Sequence, residues 1–238
     1  MFIFMKGKSK QDYADVFNAI FLEMRGLELS FQPREIMSDF EGGLEQAVSE
    51  CFPFCWHRGC YFHFSQAIWR KVQKLNLAKL YKRNDTARLQ IRRLFALAFV
   101  PVGMVRACFD ELQNSAMETL QPLFNYFRRQ WIERIRSEMW NVCGVKLRTN
   151  NHCEGWHNRL NNAMRRHRPN IWHCLATLCM EQTMNDIFRL QILAGAANQE
   201  NNAAKEERED NFKRLKDMLE NGMINVFEYV NAIAVCIG

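Results

Sequence analysis

An aspartate stands at a position where a sheet protein could use it for chemistry. Residues 33–40 have the pattern of a short strand, which would place Asp39 at its carboxyl end. Open α/β sheets bind their ligands outside the carboxyl ends of the strands. The same residues also fit a helix cap, because Ser38-x-x-Glu41 matches a capping box. The pattern alone favours the cap.

A second acidic residue lies in residues 148–158, Arg-Thr-Asn-Asn-His-Cys-Glu-Gly-Trp-His-Asn. Glu154 has His157 and Asn158 at i+3 and i+4, so a helix would bring a carboxylate, an imidazole and an amide to one face. A solvated helix face has a similar composition, and Asn151-x-x-Glu154 also fits a capping box. Neither acidic residue alone is a specific signal.

Cys60-x-x-His63 has the spacing of a metal-binding pair. Zinc needs four converging ligands, and His152 and His157 are the candidates that could complete the set. Five residues correspond to about 140° of rotation around a helix, so both histidines reach one ion only if the helix begins after His152. The spacing favours a structural Cys-His pair over a zinc site.

The elements that would carry these residues change character along the chain. Residues 2–5 predict a buried strand, residues 9–26 a helix, and the segments 33–40 and 54–63 two more strands around a second helix. This alternation of strand and helix is typical of a partly parallel sheet. Beyond residue 64 the spacing of apolar residues is helical almost throughout.

The composition is typical of a globular protein. The chain has 238 residues, of which 48% are hydrophobic and 24% charged, and its 9 cysteines are scattered and odd in number. These values exclude a disordered or collagen-like protein and favour a reducing compartment. Because the apolar runs are too short to span a bilayer, we expect a soluble nuclear or cytoplasmic protein that is not secreted and has no membrane partner. We also expect no small-molecule substrate.

Positive charge is concentrated in the middle of the chain. Residues 57–168 hold 21 Lys and Arg against 7 Asp and Glu, whereas the remaining residues are net acidic. A basic region of this kind indicates a polyanionic partner, although a solvated surface has the same charge count.

Three motifs together resemble the transposase domain of Mutator-like elements. They are residues 37–41 (Met-Ser-Asp-Phe-Glu), residues 59–71 (Gly-Cys-Tyr-Phe-His-Phe-Ser-Gln-Ala-Ile-Trp-Arg-Lys) and residues 148–158. The three motifs have the order and spacing of that family. The resemblance extends over nearly the whole chain, and the combination is far more specific than any one motif.

The resemblance implies DDE chemistry, in which three carboxylates bind two Mg²⁺ (or Mn²⁺) ions for DNA strand cleavage and transfer. Asp39 matches the second acid of that triad and Glu154 the third. Cys60 and His63 match the Cys-x-x-His signature of the family. The matched residues that follow the glutamate are Trp156, His157 and Asn158.

The fold that the resemblance implies is α/β and predominantly helical. Residues 1–63 would form a partial ribonuclease H-like core with only strands 3, 4 and 5 of the family. Residues 64–147 would form an all-helical insertion, residues 148–168 the catalytic-glutamate helix, and residues 169–238 a C-terminal helical extension. The first catalytic aspartate has no counterpart, so we expect an N-terminally truncated domain that is catalytically inactive alone.

Basic side chains would then contact DNA phosphates with little sequence preference. The candidate DNA-binding residues are Arg70, Lys71, Lys74, Arg92, Arg93, Arg148, Arg159, Arg165 and Arg166. The other interpretation is a domesticated DNA-binding or protein-interaction module without nuclease activity. The apolar stripe along residues 171–190 could serve such a module as a homo-oligomer interface.

Overall fold

Helices and two short strands make up the part of the chain that the computed structural model describes, which is residues 2–145, 147–149, 151–164, 170–195 and 203–237. These residues fall into two compact units. The main unit holds Met5–Thr149 and Ala204–Gly238, and the hairpin unit holds Met1–Phe4 and Asn150–Ala203.

The first part of the main unit alternates helix and strand. Its elements are α1 (Lys10–Gly26), β1 (Glu35–Ser38), α2 (Gly42–Cys51) and β2 (Trp56–Gly59). The strands pair in parallel, in a register that runs from Glu35↔Trp56 to Ser38↔Gly59. Parallel neighbours need a crossover connection, which α2 supplies. The strand, helix and strand predicted over residues 33–63 are confirmed.

The start of α1 is encoded locally. The backbone N–H of Asp12 donates to the Ser9 hydroxyl, and the backbone N–H of Ser9 donates to the Asp12 carboxylate at 2.8 Å, which together form a capping box. Aromatic rings then pack α1 against the end of α2. The Phe17 and Phe52 ring centroids are 5.0 Å apart, and those of Phe21 and Phe52 are 5.3 Å apart.

Residues 2–5 do not form the strand that their apolar sequence predicts. They have no regular secondary structure, and their side chains are exposed, from 37% for Ile3 to 64% for Phe4. A strand is stabilised by ladder hydrogen bonds to a neighbour, and the sheet within the described residues contains only β1 and β2. An apolar run does not itself supply that pairing.

The rest of the described chain is helical. The remaining elements are α3 (Tyr61–Lys74), α4 (Ala78–Arg83), α5 (Asp85–Ala96), a 3-10 turn (Leu97–Phe99), α6 (Val102–Asn114), a second 3-10 turn (Glu118–Leu120), α7 (Gln121–Phe127), a π-helical segment (Arg128–Arg134), α8 (Ser137–Trp140), α9 (Asn151–Met164), α10 (Ile171–Leu193), α11 (Ala203–Glu220) and α12 (Val226–Cys236). Of these, α9 and α10 belong to the hairpin unit.

An aromatic core holds the helices of the main unit together. The Phe64 ring of α3 stacks on Trp140 with the ring centroids 5.0 Å apart, and it meets the edge of Trp131 at 4.8 Å. All three side chains are almost completely buried. Tyr229 of α12 donates its hydroxyl to the carbonyl oxygen of Phe99 at 3.0 Å, so the last helix belongs to this same core.

In the hairpin unit, α9 and α10 pack antiparallel. The imidazole of His173, near the start of α10, lies 3.1 Å from the carbonyl oxygen of Met164 at the end of α9. Further along α10, Glu181 contacts Trp156 and Arg159 of α9. Asn170 caps α10 by accepting the backbone N–H of His173.

The protein is therefore α/β and predominantly helical, as its sequence predicts. The ribonuclease H-like character of the core and the domain boundaries at residues 63, 147 and 168 stay predictions. Among the described helices, none combines the length and the apolar character needed to cross a membrane.

Candidate functional site

Asp39 lies directly after β1, at the carboxyl end of the parallel strand pair, and is half-buried. The Oγ atom of the buried Ser38 lies 2.8 Å from the carbonyl oxygen of Asp39 and 2.7 Å from Nε2 of His57 on β2. A serine hydroxyl has one proton, so both hydrogen bonds form together when Nε2 of His57 donates to Ser38 and Ser38 donates to Asp39. Burial lowers the pKa of His57, against the charge of Glu45.

Ser38 does not cap α2. The N-cap residue of α2 is Glu41, whose side chain makes no capping hydrogen bond, so the capping box predicted for Ser38 and Glu41 is wrong. The reason is the strand register, because Ser38 is the last residue of β1 and lies opposite Gly59. Its hydroxyl instead forms a hydrogen bond with His57 on the neighbouring strand.

The phenol of Tyr13 on α1 lies beside two carboxylates. Burial raises the pKa of Tyr13 to about 12, and a hydrogen bond to Glu41 and the negative charges of Glu41 and Asp39 act in the same direction. Lys8 places its Nζ atom 3.2 Å from the Glu41 carboxylate. We call Asp39 and Glu41 the acidic cluster.

The Cys-x-x-His motif lies where β2 continues into α3. Cys60 is the N-cap residue of α3 and is fully buried, and His63 lies half-buried in the first turn of the helix. The backbone N–H of Cys60 donates to the carbonyl oxygen of Ser38 at 2.7 Å. The next N–H, that of Tyr61, donates to the carbonyl oxygen of Arg148 at 2.9 Å. The backbone of this motif therefore contacts the end of β1 and residue 148.

Glu154 lies in the first turn of α9 and is half-buried. Two residues further along, Nε1 of Trp156 donates to the carboxylate of Glu181 at 3.0 Å. Arg159 donates to both carboxylate oxygens of Glu181, through Nη2 at 2.8 Å and Nε at 3.4 Å. The Arg159 hydrogen bond holds the pKa of Glu181 below its ordinary value.

The remaining matched residues of α9, His157 and Asn158, are exposed. The His157 ring centroid lies 5.3 Å from that of Trp156. The carboxylate, imidazole and amide predicted for one helix face thus belong to a continuous helix.

The metal chemistry that the sequence suggests depends on which donor side chains converge. Asp39 and Glu154 belong to different compact units, and their approach to one ion stays a prediction. In the described ranges, no group of three or more His, Cys, Asp or Glu side chains could hold a metal ion. The acidic cluster alone therefore does not fit a complete octahedral Mg²⁺ site. His152, considered for zinc with Cys60 and His63, has a side chain outside the described part.

Several of the predicted DNA-contact residues make contacts within the protein. These contacts are Lys71 Nζ over the Tyr126 ring at 5.0 Å, Arg92 Nε to Tyr81 Oη at 3.1 Å, Arg93 Nε to Asn231 Oδ1 at 2.6 Å, Arg148 to Glu209, and Arg159 to Glu181. A charge that is already paired or partly buried interacts more weakly with a phosphate.

Other basic side chains are exposed on two consecutive helices of the main unit. They are Arg70 and Lys74 of α3 with Lys79, Lys82 and Arg83 of α4, and we call them the basic surface. The chain has no acidic residue between Glu50 and Asp85. None of the five forms an ion pair with another described residue. The candidates Arg165 and Arg166 lie outside the described residues.

The first part of the chain is similar to a known protein family. Residues 1–67 match the family model of the MULE transposase domain. The resemblance seen in the motifs is thereby confirmed for this segment, and it indicates a transposase-related function. The MULE match includes Asp39, Cys60 and His63 and ends before the basic surface and α9. No curated protein and no solved structure matches the chain.

Several residues around the MULE motifs had no sequence signal strong enough to predict them. Tyr13 follows the spacing of a core position in α1, and Ser38 fits a cap. His57 precedes the Cys-x-x-His motif by three residues, which is a weak hint. Glu181 is an acidic residue in a long apolar helix, which is a pattern typical of a buried, paired carboxylate.

Proposed function

We propose that this chain is a Mutator-like, DDE-type transposase-derived domain that binds DNA and contributes Asp39 and Glu154 to strand cleavage and transfer. The observation that carries the proposal is a pair of backbone hydrogen bonds between the three motifs. Cys60 donates to Ser38 at 2.7 Å, and Tyr61 donates to Arg148 at 2.9 Å. These bonds bring Ser38, at the end of β1, and Arg148, at the start of the third motif, to the same end of β2 within the main unit.

We propose Mg²⁺ or Mn²⁺ as the cofactor, because both are hard cations that take carboxylate oxygens as ligands. Asp39 and Glu154 would hold the ion, and the ion would stabilise negative charge on the phosphodiester. Two carboxylates leave most of an octahedral shell to water. The 238-residue chain by itself is therefore expected to bind the ion weakly and not to cleave DNA.

A nicking assay and a metal titration test this proposal together. The purified chain is incubated with supercoiled plasmid in Mg²⁺ or Mn²⁺, and Mn²⁺ binding is followed by paramagnetic broadening of amide resonances. We expect that the chain does not nick the plasmid. We expect Mn²⁺ to broaden the amide resonances around residue 39, and Asp39→Asn to remove this broadening. Asp15→Asn, an exposed acid on α1, is the matched control. Nicking by the chain would contradict its expected inactivity, and broadening that persists in Asp39→Asn would contradict metal binding by Asp39.

DNA binding by the basic surface is the second part of the proposal. Its five exposed cations have no acidic partner among the described residues, so they can release counterions from phosphates. We expect Lys79→Gln with Lys82→Gln to weaken duplex binding on unrelated sequences alike. The slope of log K against log salt should fall by about one per lost contact. Lys213→Gln with Arg214→Gln, exposed on α11, is the matched control.

Self-association through α10 is an alternative function that one observation favours. This helix exposes large apolar side chains on most of its circumference, among them Trp172 at 77%, Met180 at 69% and Leu193 at 75%. Its exposed charges, Asp186 and Arg189, lie three residues apart. If a second copy of α10 packed antiparallel with its centre between these two residues, Asp186 of each copy would lie near Arg189 of the other.

Sedimentation at increasing concentration separates the two functions. A dimer that dissociates in Trp172→Ser or in the charge reversal Asp186→Arg, and reforms when Asp186→Arg is combined with Arg189→Asp, supports the α10 interface. A monomer at all concentrations rejects it. Dimerisation without any salt-dependent DNA binding favours an interaction module over a transposase-derived DNA-binding domain.

A further inference from the structure

One acidic residue outside the three motifs contacts the helix that carries Glu154. Glu181 of α10 is only 7% exposed, although it lies in a helix whose other side chains are largely exposed. Its carboxylate accepts the Trp156 indole N–H at 3.0 Å and the Arg159 guanidinium at 2.8 Å. A buried carboxylate is retained when such charge-assisted hydrogen bonds replace its hydration.

The geometry of α9 relates these contacts to Glu154. At 3.6 residues per turn, Trp156 and Arg159 lie about 200° and 140° around the axis from Glu154, on the opposite face of the helix. His157 and Asn158 lie within about 60° of Glu154. Glu181 therefore contacts the back of α9, and the motif residues Glu154, His157 and Asn158 share the front.

We propose that Glu181 is a positioning residue that sets the rotation of α9 about its axis and so the direction of Glu154. Rotation of α9 by one residue, about 100°, would break the hydrogen bonds of both Trp156 and Arg159. A carboxylate that must meet a metal and a phosphate needs its helix held in one rotation about its axis. The metal-binding role of Glu154 rests on the proposed function, whereas the role of Glu181 in setting the rotation of α9 does not.

The guanidinium of Arg159 is part of the same contact. Its guanidinium donates to both oxygens of Glu181, which is the planar fork that an ammonium cannot reproduce. Arg159 is thus a second positioning residue, although its sequence context predicts a phosphate contact. Its replacement by lysine keeps the positive charge and removes the fork.

Hydrogen exchange and one indole resonance test the inference on the full chain. In Glu181→Gln we expect the amides of α9 to exchange about tenfold faster, and the Trp156 Nε1–H resonance to shift. Gln182→Ala, at the exposed neighbouring position of the same helix, should change neither. Arg159→Lys should accelerate exchange in α9 while DNA affinity stays within about twofold of the unmodified chain.

The outcomes decide between the explanations. Unchanged exchange in both Glu181→Gln and Arg159→Lys would overturn the positioning role. A loss of DNA affinity in Arg159→Lys with unchanged hydrogen exchange would indicate that Arg159 contacts phosphate and does not position α9. If exchange responds as expected but Mn²⁺ broadens no resonance near Glu154 in any variant, the helix rotation is supported and the proposed metal chemistry fails.

Discussion

Tyr13 is sensitive to the charge of the acidic cluster. Its phenol comes from α1, whereas Asp39 and Glu41 belong to the connection between β1 and α2. A negative charge beside a phenol disfavours the tyrosinate, and burial has the same effect. Tyr13 therefore reports the charge state of two carboxylates, of which Asp39 is the proposed metal ligand.

We expect one tyrosine of the folded protein to titrate with a pKa of about 12, a step that Tyr13→Phe removes from the tyrosinate absorbance. Because this pKa is raised above 10.0, the associated stabilisation is complete below pH 10 and is lost as the pH rises to about 12. Glu41→Gln should lower the pKa of Tyr13 most, and Asp39→Asn less. Asp15→Asn is the control, and no response to Asp39→Asn would contradict the proximity of Asp39.

At the scale of elements, the junction of β2 and α3 depends on a glycine. A Cβ atom at Gly59 would overlap the ring of Phe40 and lie 3.1 Å from the carbonyl oxygen of Met139. The strand end therefore packs directly against α8 and the segment after β1. This contact positions Cys60, whose N–H reaches Ser38.

We expect Gly59→Ala to lower the free energy of unfolding by about 1–3 kcal/mol, since one extra methyl must displace a ring and a backbone. Gly103→Ala is the matched control, because a Cβ at Gly103 in α6 meets no atom of the described residues within 4 Å. That change should be neutral or stabilise by up to about 1 kcal/mol. Urea denaturation measures both, and equal midpoints for the two variants would refute the close approach at Gly59.

At the scale of the whole molecule, Arg148 joins segments that are distant in the chain. Its guanidinium lies 5.2 Å from the Phe99 ring centroid and 4.7 Å from that of Phe212, and it forms an ion pair with Glu209 of α11. Burial lowers the pKa of Arg148. These contacts hold the residues before α9 against the C-terminal part of the main unit.

We expect Arg148→Met to lower the free energy of unfolding by about 1–3 kcal/mol, because a charge-assisted hydrogen bond inside the main unit is lost. Arg214→Met, at an exposed position of α11, should change it by less than about 0.5 kcal/mol. Thermal unfolding and the salt dependence of DNA binding are measured in parallel. Unchanged stability with a reduced salt slope would instead make Arg148 a phosphate contact.

Local structure was the most predictable from the sequence. The helix over residues 9–26 and the alternation over residues 33–63 depend on neighbours in the chain, and both are confirmed. The strand at residues 2–5 and the Ser38 cap were wrong, because each depends on which backbone groups lie nearby in space. The convergence of Asp39 with Glu154 stays a prediction for the same reason.

The sequence by itself determined the family resemblance, the order of the three motifs and the type of chemistry that their side chains allow. Only the tertiary structure decided that the backbone of Cys60 donates to Ser38 and that of Tyr61 to Arg148, and which cations of the basic region stay exposed. Residue type and spacing specify local conformation and reactive groups. Whether a charge is available to a partner depends on burial and on ion pairs with residues far along the chain.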